Sequence, residues 1–181
     1  LLTKGLSIVD NELNTLSEKI KKLLKIKGHD RTNISAIKGP CLAVGLANKM
    51  RTGTVIANPD IKEAQYLKKI ISTKYYSTEI SNDLTGVELS GAIKNIYSML
   101  IGASEGLSND KAPLEVQSKY YLNTAASLIH RSISEMVEFV SYYGGKPETV
   151  YGLAGLGDLY VSAIGGRNSL MGKYLGQGHL Y

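Results

Sequence analysis

The sequence predicts an α/β unit followed by an all-α unit. Up to residue 82, short apolar or β-branched runs alternate with amphipathic helical stretches, the pattern of a largely parallel sheet. From residue 84 onward, helical stretches are all that recur. The switch falls at Ser81-Asn82-Asp83 and divides the chain into residues 1–83 and 84–181.

The elements follow in order. Residues 5–9 read as the end of a strand or its exit loop, and Asp10 as the cap of a helix over 11–26. Leu13, Leu16, Ile20, Leu23 and Leu24 share one face of that helix, and Gly28-His29-Asp30 stops it. Residues 34–37 form a short strand, Gly39-Pro40 a turn and 41–50 a short helix. Residues 52–57 are β-branched and apolar and end at Asn58-Pro59-Asp60, a turn that caps a helix over 61–71. Residues 75–78 make a last strand. Helices are expected at about 84–105, 114–143 and 147–164, with no internal repeat or low-complexity tract.

At 181 residues the chain is long enough to bury a core, as one domain or as parts of two. Its net charge is +5, but Lys19, Lys21, Lys22, Lys25 and Lys27 cluster around one helix. That pattern reads as a solvated face rather than a nucleic-acid site, and the twelve tyrosines are not interleaved with basic residues. No apolar run reaches the length of a membrane span. The start at Leu1 and the end at Gly176–Tyr181 read as those of a fragment. Cys41 is the single cysteine, so no internal disulfide forms; a small buried thiol in a reducing cytoplasm is expected. None of the three histidines has a metal partner at usable spacing, and no metal is expected.

Two stretches carry chemistry. Thr85 and Glu88 have capping-box spacing at the start of a helix with Leu89, Ile93, Ile96 and Leu100 in one stripe. Lys94 lies about 120–140° from the centre of that stripe. Its neighbours on the wheel are Val87, Ser90, Ser98 and Ile101, with Gly91 one turn back. A lysine beside small residues can be partly buried, which lowers its pKa towards that of a usable proton donor. The plain alternative is an exposed helix lysine.

The second stretch holds Gly152, Gly155 and Gly157 within six residues. Each costs a helix about 1 kcal/mol against Ala, so they suit a place where something approaches the backbone closely. Asp158 follows among apolar residues and needs a cationic or hydroxyl partner, Lys94 being the candidate. Gly165-Gly166-Arg167-Asn168 reads either as a flexible turn presenting a phosphate reader or as a helix-ending turn with a surface Arg.

The order of these residues resembles the NAD(P)-dependent glycerol-3-phosphate dehydrogenase family. Gly86-Val87-Glu88-Leu89-Ser90-Gly91-Ala92-Ile93-Lys94-Asn95 is similar to that family's G-V-(E/Q)-L-G-G-A-(L/V/I)-K-N, with Ser90 in place of Gly. Pro147 to Leu159 is similar to P-x-T-(F/M)-x-G-(L/M)-A-G-L-(G/A)-D-L, and Arg167-Asn168 follows at the family's spacing. Thr3-Lys4-Gly5 resembles a lysine loop. Gly39-Pro40-Cys41-Leu42-Ala43 resembles G-P-(T/S)-F-A, with Gly45 where a Glu is usual. Asn123 to Ser132 resembles N-x-(K/R)-(A/T)-A-L-I-x-R-G, with Ala125 and Ser132 as departures. The segment 106–122 is longer than is typical.

The resemblance implies the second half of a Rossmann-like parallel-sheet domain, then a helical substrate domain. It implies hydride exchange between NAD or NADP and the C2 carbon of a small phosphorylated substrate, dihydroxyacetone phosphate or sn-glycerol 3-phosphate. Lys94 would be the acid/base, with Asp158 and Lys4 holding its charge state and position. Lys4, Asn95, Ser162, Arg167 and Asn168 would line the substrate, and Arg167 would also reach the cofactor. A homodimer is the assembly implied. No Gly-x-Gly-x-x-Gly follows a strand here, so the dinucleotide fingerprint is expected outside these residues. Two rivals are a related dehydrogenase for another small hydroxy acid and a truncated binding or assembly module.

Overall fold

The computed structural model describes residues 1–9, 11–109 and 119–180. The expected order, α/β and then helical, holds, with differences that have physical causes. Strand β1 (Leu6–Val9) does not lead into a helix at residue 11. It pairs antiparallel with β2 (Glu12–Thr15), from Leu6 opposite Thr15 to Val9 opposite Glu12. Asn11 turns the chain at φ 62, a left-handed conformation that Asn tolerates. The expected cap Asp10 lies outside the described residues. Helix α1 (Leu16–Ile26) is capped by Thr15, whose N–H donates to Glu18 at 2.7 Å while its hydroxyl accepts from the Glu18 N–H. The clustered lysines of α1 and its end are exposed.

A second sheet has the order β3 (Ala36–Lys38), β4 (Thr52–Ala57), β5 (Tyr76–Ser81). It is mixed. β4 and β5 are parallel, joined by the crossover helix α3 (Ile61–Ile71), whose Asp60 cap accepts from the Lys62 N–H. β3 runs antiparallel to β4. The helix expected over 41–50 is only α2 (Ala43–Ala47), too short to carry the chain back across the sheet as a parallel crossover requires. Beyond β3, the Leu1 amino group donates to the Ser35 carbonyl at 2.5 Å and the Leu1 carbonyl accepts from the Ile37 N–H at 2.9 Å. That bracket lays the first residues alongside β3.

The helical part begins with α4 (Leu84–Asn109). Its cap is Asp83 rather than the Thr85–Glu88 box. The Asp83 carboxylate accepts from the N–H groups of Gly86 and Lys146 and from the Thr149 hydroxyl. A Cβ at Gly86 would sit 1.9 Å from Asp83 Oδ2, so the cap requires glycine. Glu88 is buried instead and accepts from the N–H and hydroxyl of Ser17, tying the start of α1 to α4. After α4 come α5 (Leu122–Tyr142) and α6 (Pro147–Tyr151); the expected start of a helix at 114 lies outside the described residues. The helix predicted over 147–164 is broken. Extended Gly152 ends α6, a turn of π-helix follows (Leu153–Gly157), and α7 (Asp158–Gly165) starts on Asp158. A Cβ at Gly155 would lie 2.1 Å from the Val150 carbonyl oxygen, so the close approach here is by the protein's own backbone.

The last helix, α8 (Arg167–Gly176), crosses α4 with no side chain between the two backbones. A Cβ on Gly102, Gly106, Gly172 or Gly176 would stand 2.0, 2.1, 1.9 or 2.3 Å from a carbonyl oxygen of the facing helix. Two Gly-x-x-x-Gly pairs thus fit into each other. The core lies between α4, α5 and α7, around Leu89, Ile93, Met136, Val140 and Leu159, and a smaller cluster joins Val87 and Leu84 of α4 to Ala36, Val55 and Ala57 of the sheet. The stripe read on α4 is only half buried: Leu89 and Ile93 are in the core, whereas Ile96 and Leu100 are exposed. Among the described residues no helix is long and apolar enough to cross a membrane.

Candidate active site

Lys94 lies on the side of α4 that faces α7, and it is 3% exposed. Its ammonium donates to Asp158 Oδ1 at 2.7 Å and to the Ser162 hydroxyl. Asp158 and Ser162 share one face of α7, four residues apart, so one helix supplies both acceptors. Lys4 reaches the other carboxylate oxygen, Nζ to Asp158 Oδ2, at 2.5 Å. Asp158 therefore bridges two lysines. Its side chain and that of Lys94 are almost wholly buried, and that of Lys4 is partly open.

Burial lowers the Lys94 pKa to about 8, because a desolvated ammonium is disfavoured; Asp158 opposes the shift and Lys4 adds to it. The amine is thus poised to give or take a proton close to neutral pH.

A cleft of about 530 Å³ opens beside this amine. Lys4, Lys94, Asn95, Ser162, Arg167 and Asn168 line it, together with Leu2, Leu42 and Ser98. Six of the seven residues singled out in the sequence thus meet at one cavity, and Asp158 stands behind them. Arg167 and Asn168 do not sit on a flexible turn. Extended Gly166 precedes α8, and they are the first residues of that helix. A Cβ at Gly166 would lie 2.3 Å from the Ser162 carbonyl oxygen, so glycine lets α8 start against α7. The exposed Arg167 guanidinium makes no ion pair among the described residues. A free guanidinium beside unpaired helix N–H groups favours an anion such as phosphate.

Sequence reasoning missed Lys38. It is 3% exposed on β3, and its ammonium donates to the Thr3 carbonyl at 2.8 Å and the Leu1 carbonyl at 3.2 Å. The strand alternation could have found it, since Lys38 falls on the inward side with Ala36. Cys41 is half-buried rather than buried, and burial raises its thiol pKa. His130 is exposed on α5.

Residues 83–181 match the family profile described as NAD-dependent glycerol-3-phosphate dehydrogenase C-terminus. The NADP(+)-dependent glycerol-3-phosphate dehydrogenase of Archaeoglobus fulgidus is 36% identical over 179 residues, covering 98% of this chain and 50% of that protein. The glycerol-3-phosphate dehydrogenase [NAD(P)+] of Lawsonia intracellularis is 32% identical, covering 99% of this chain and 49% of that protein. The crystal structure of glycerol-3-phosphate dehydrogenase from Coxiella burnetii superposes with a TM-score of 0.78 at 30% identity, over 98% of this chain and 50% of that one. The chain spans about half the length of the curated relatives it matches.

Proposed function

Because the chain belongs to the NAD-dependent glycerol-3-phosphate dehydrogenase family, we propose that the protein carrying it interconverts dihydroxyacetone phosphate and sn-glycerol 3-phosphate with NAD or NADP. The observation that carries this reading is the buried Lys94 amine, paired to Asp158 and Ser162, at the wall of a cleft that also presents Arg167 and Asn168. Nicotinamide, when bound, would supply or accept the hydride.

Lys94 protonates the C2 oxygen during reduction and takes the proton back in the reverse direction. Asp158 holds the amine in place and keeps its proton affinity from falling further; Lys4 tempers that effect. Arg167, Asn168 and the first N–H groups of α8 grip the phosphate, while Asn95 and Ser162 orient the carbon end. A phosphate fixed at one end of the cleft places C2 at the amine, so ketones without phosphate react poorly. The cofactor fits this chain only in part. The exposed Arg167 suits its phosphates, and the 181 residues contain no Gly-x-Gly-x-x-Gly.

We assign residues 1–83 to the C-terminal part of a nucleotide-binding domain and 84–181 to a substrate domain, on the change from sheet to helices at Asp83. A cytoplasmic homodimer is the assembly we assign. Two-fold dimers are the commonest oligomers, and a lone cysteine suits a reducing compartment.

The test is an absorbance assay of the full-length protein with NADH, then NADPH, and dihydroxyacetone phosphate. Oxidation that depends on the phosphorylated ketone is expected. A folded protein that oxidises neither cofactor overturns the reading. Turnover of a non-phosphorylated hydroxy acid in its place would favour the related-dehydrogenase alternative, and its absence the binding module.

A further inference from the structure

The first four residues bring Lys4 to Asp158, yet they belong to no helix or strand of the described chain. Their hold comes from β3. The Leu1 backbone brackets Ala36, and the buried Lys38 ammonium donates to the carbonyls of Leu1 and Thr3. Between and after those carbonyls, Leu2 and Lys4 face the cleft. No carboxylate stands within ion-pair distance of Lys38 among the described residues. A buried ammonium without a counter-ion is costly, and satisfying two carbonyls of one strip is a specific use for it.

The lysine stem is fixed as well. It packs on Gly91 of α4, where a Cβ would come within 3.0 Å of Lys38 Cδ. Gly91 lies one turn before Lys94. One side chain thus touches the helix that carries Lys94 and the strip that carries Lys4.

We infer that Lys38 is a positioning residue, which seats the strip 1–4 so that Lys4 meets Asp158 and tunes Lys94. The inference rests on the reading of Lys94 as the acid/base. Lys38 does not touch the substrate; it acts through Lys4. The charged groups around it are Glu88 of α4, Asp158 of α7 and Lys4 on the strip. Those acting on Lys94 are Asp158 and Lys4. Loss of the strip's anchor therefore reaches Lys94 by way of Lys4. With Lys4 displaced, Lys94 loses a repelling neighbour, keeps Asp158, and titrates at higher pH.

The test is made on the full-length protein with 13C-labelled lysine, following the Lys94 titration by NMR alongside kcat and KM. Lys38→Met should raise the Lys94 midpoint, as should Lys4→Met, and lower kcat about 10- to 100-fold, the scale of a displacement of about 1 Å. KM for the phosphorylated ketone should change less than kcat, because the anion grip on α8 is untouched. The double variant Lys4→Met/Lys38→Met should match Lys4→Met alone. Additive losses, or an unmoved Lys94 midpoint in Lys38→Met, overturn the inference.

If Lys38→Met does not fold, Gly91→Ala crowds the lysine stem without removing its charge. It should raise the same midpoint, and a wild-type midpoint there overturns the inference. The NMR midpoint needs no turnover. Unaltered protein that titrates as described but does not reduce dihydroxyacetone phosphate would therefore count against the proposed reaction and not against the seat of Lys4.

Discussion

Lys94 and Asp158 meet at 2.7 Å, and neither side chain is more than 4% exposed. The carboxylate works in two directions: it keeps Lys94 protonated against the pull of burial, and it anchors Lys4 at its other oxygen. Removal of the amine in Lys94→Met should lower kcat by a factor of about 10² to 10⁴, the usual span of a general acid/base. Binding of the dinucleotide, read by fluorescence titration, should be unchanged. Near-normal kcat in a folded variant would remove Lys94 from the chemistry.

The pH dependence follows from the lowered Lys94 pKa. Reduction of the ketone needs the ammonium form, so its kcat/KM should fall as pH rises through about 8. Oxidation of the alcohol needs the free amine, so its kcat/KM should rise over the same window. Initial rates in both directions from pH 6 to 10 check this, and a shared profile would contradict it.

Asp158→Asn removes the group that holds the Lys94 proton. The Lys94 pKa should drop further, because Asp158 is what raises it against burial. The folded protein then binds fewer protons than the unfolded chain over a wider pH range. The variant's loss of stability is greatest at low pH and shrinks as pH rises and Lys94 goes neutral. Breaking a buried ion pair costs about 3 kcal/mol or more while the remaining charge persists. Melting curves of both proteins at pH 6 and pH 9 test it; a gap that widens at pH 9 would be the wrong sign.

Arg167→Met should raise KM for the phosphorylated ketone by at least about tenfold, the scale of a lost charge-assisted hydrogen bond. Arg167→Lys should recover part of that loss, since it keeps the charge but not the forked geometry. Steady-state kinetics with both variants decide it, and an unchanged KM would take Arg167 out of the phosphate site.

Gly172→Ala should destabilise the fold by about 1–3 kcal/mol, because the new methyl would stand 1.9 Å from the Met99 carbonyl oxygen. Denaturant unfolding measures the loss. As α8 shifts, KM should rise along with it.

Much of this was legible in the residues, for reasons that differ from place to place. Strand β4 and helix α3 fall where periodicity and the Asn58-Pro59-Asp60 turn put them. The hairpin of β1 and β2 was hidden, because Leu13 of β2 falls in register with the helical face that Leu16, Ile20, Leu23 and Leu24 form in α1. Helix α4 misled in another way: its stripe is partly solvent-facing, and the face with Lys94 is the buried one, since α7 and α8 cover it. Lys38 went unnoticed because the strand was read only to residue 37, one short of the position that alternation puts on the inward side with Ala36.

The glycine seam between α4 and α8 sets what can be altered here. With backbone against backbone, the crossing offers no side chain to trim, and adding one, as in Gly172→Ala, moves Arg167 relative to Lys94 only at the expense of the fold. The span between the anion end and the amine is a fixed gauge. Redesign towards a longer or shorter substrate would have to work through Leu2, Leu42 and Ser98 on the cleft walls, which change its girth and leave its length as it is.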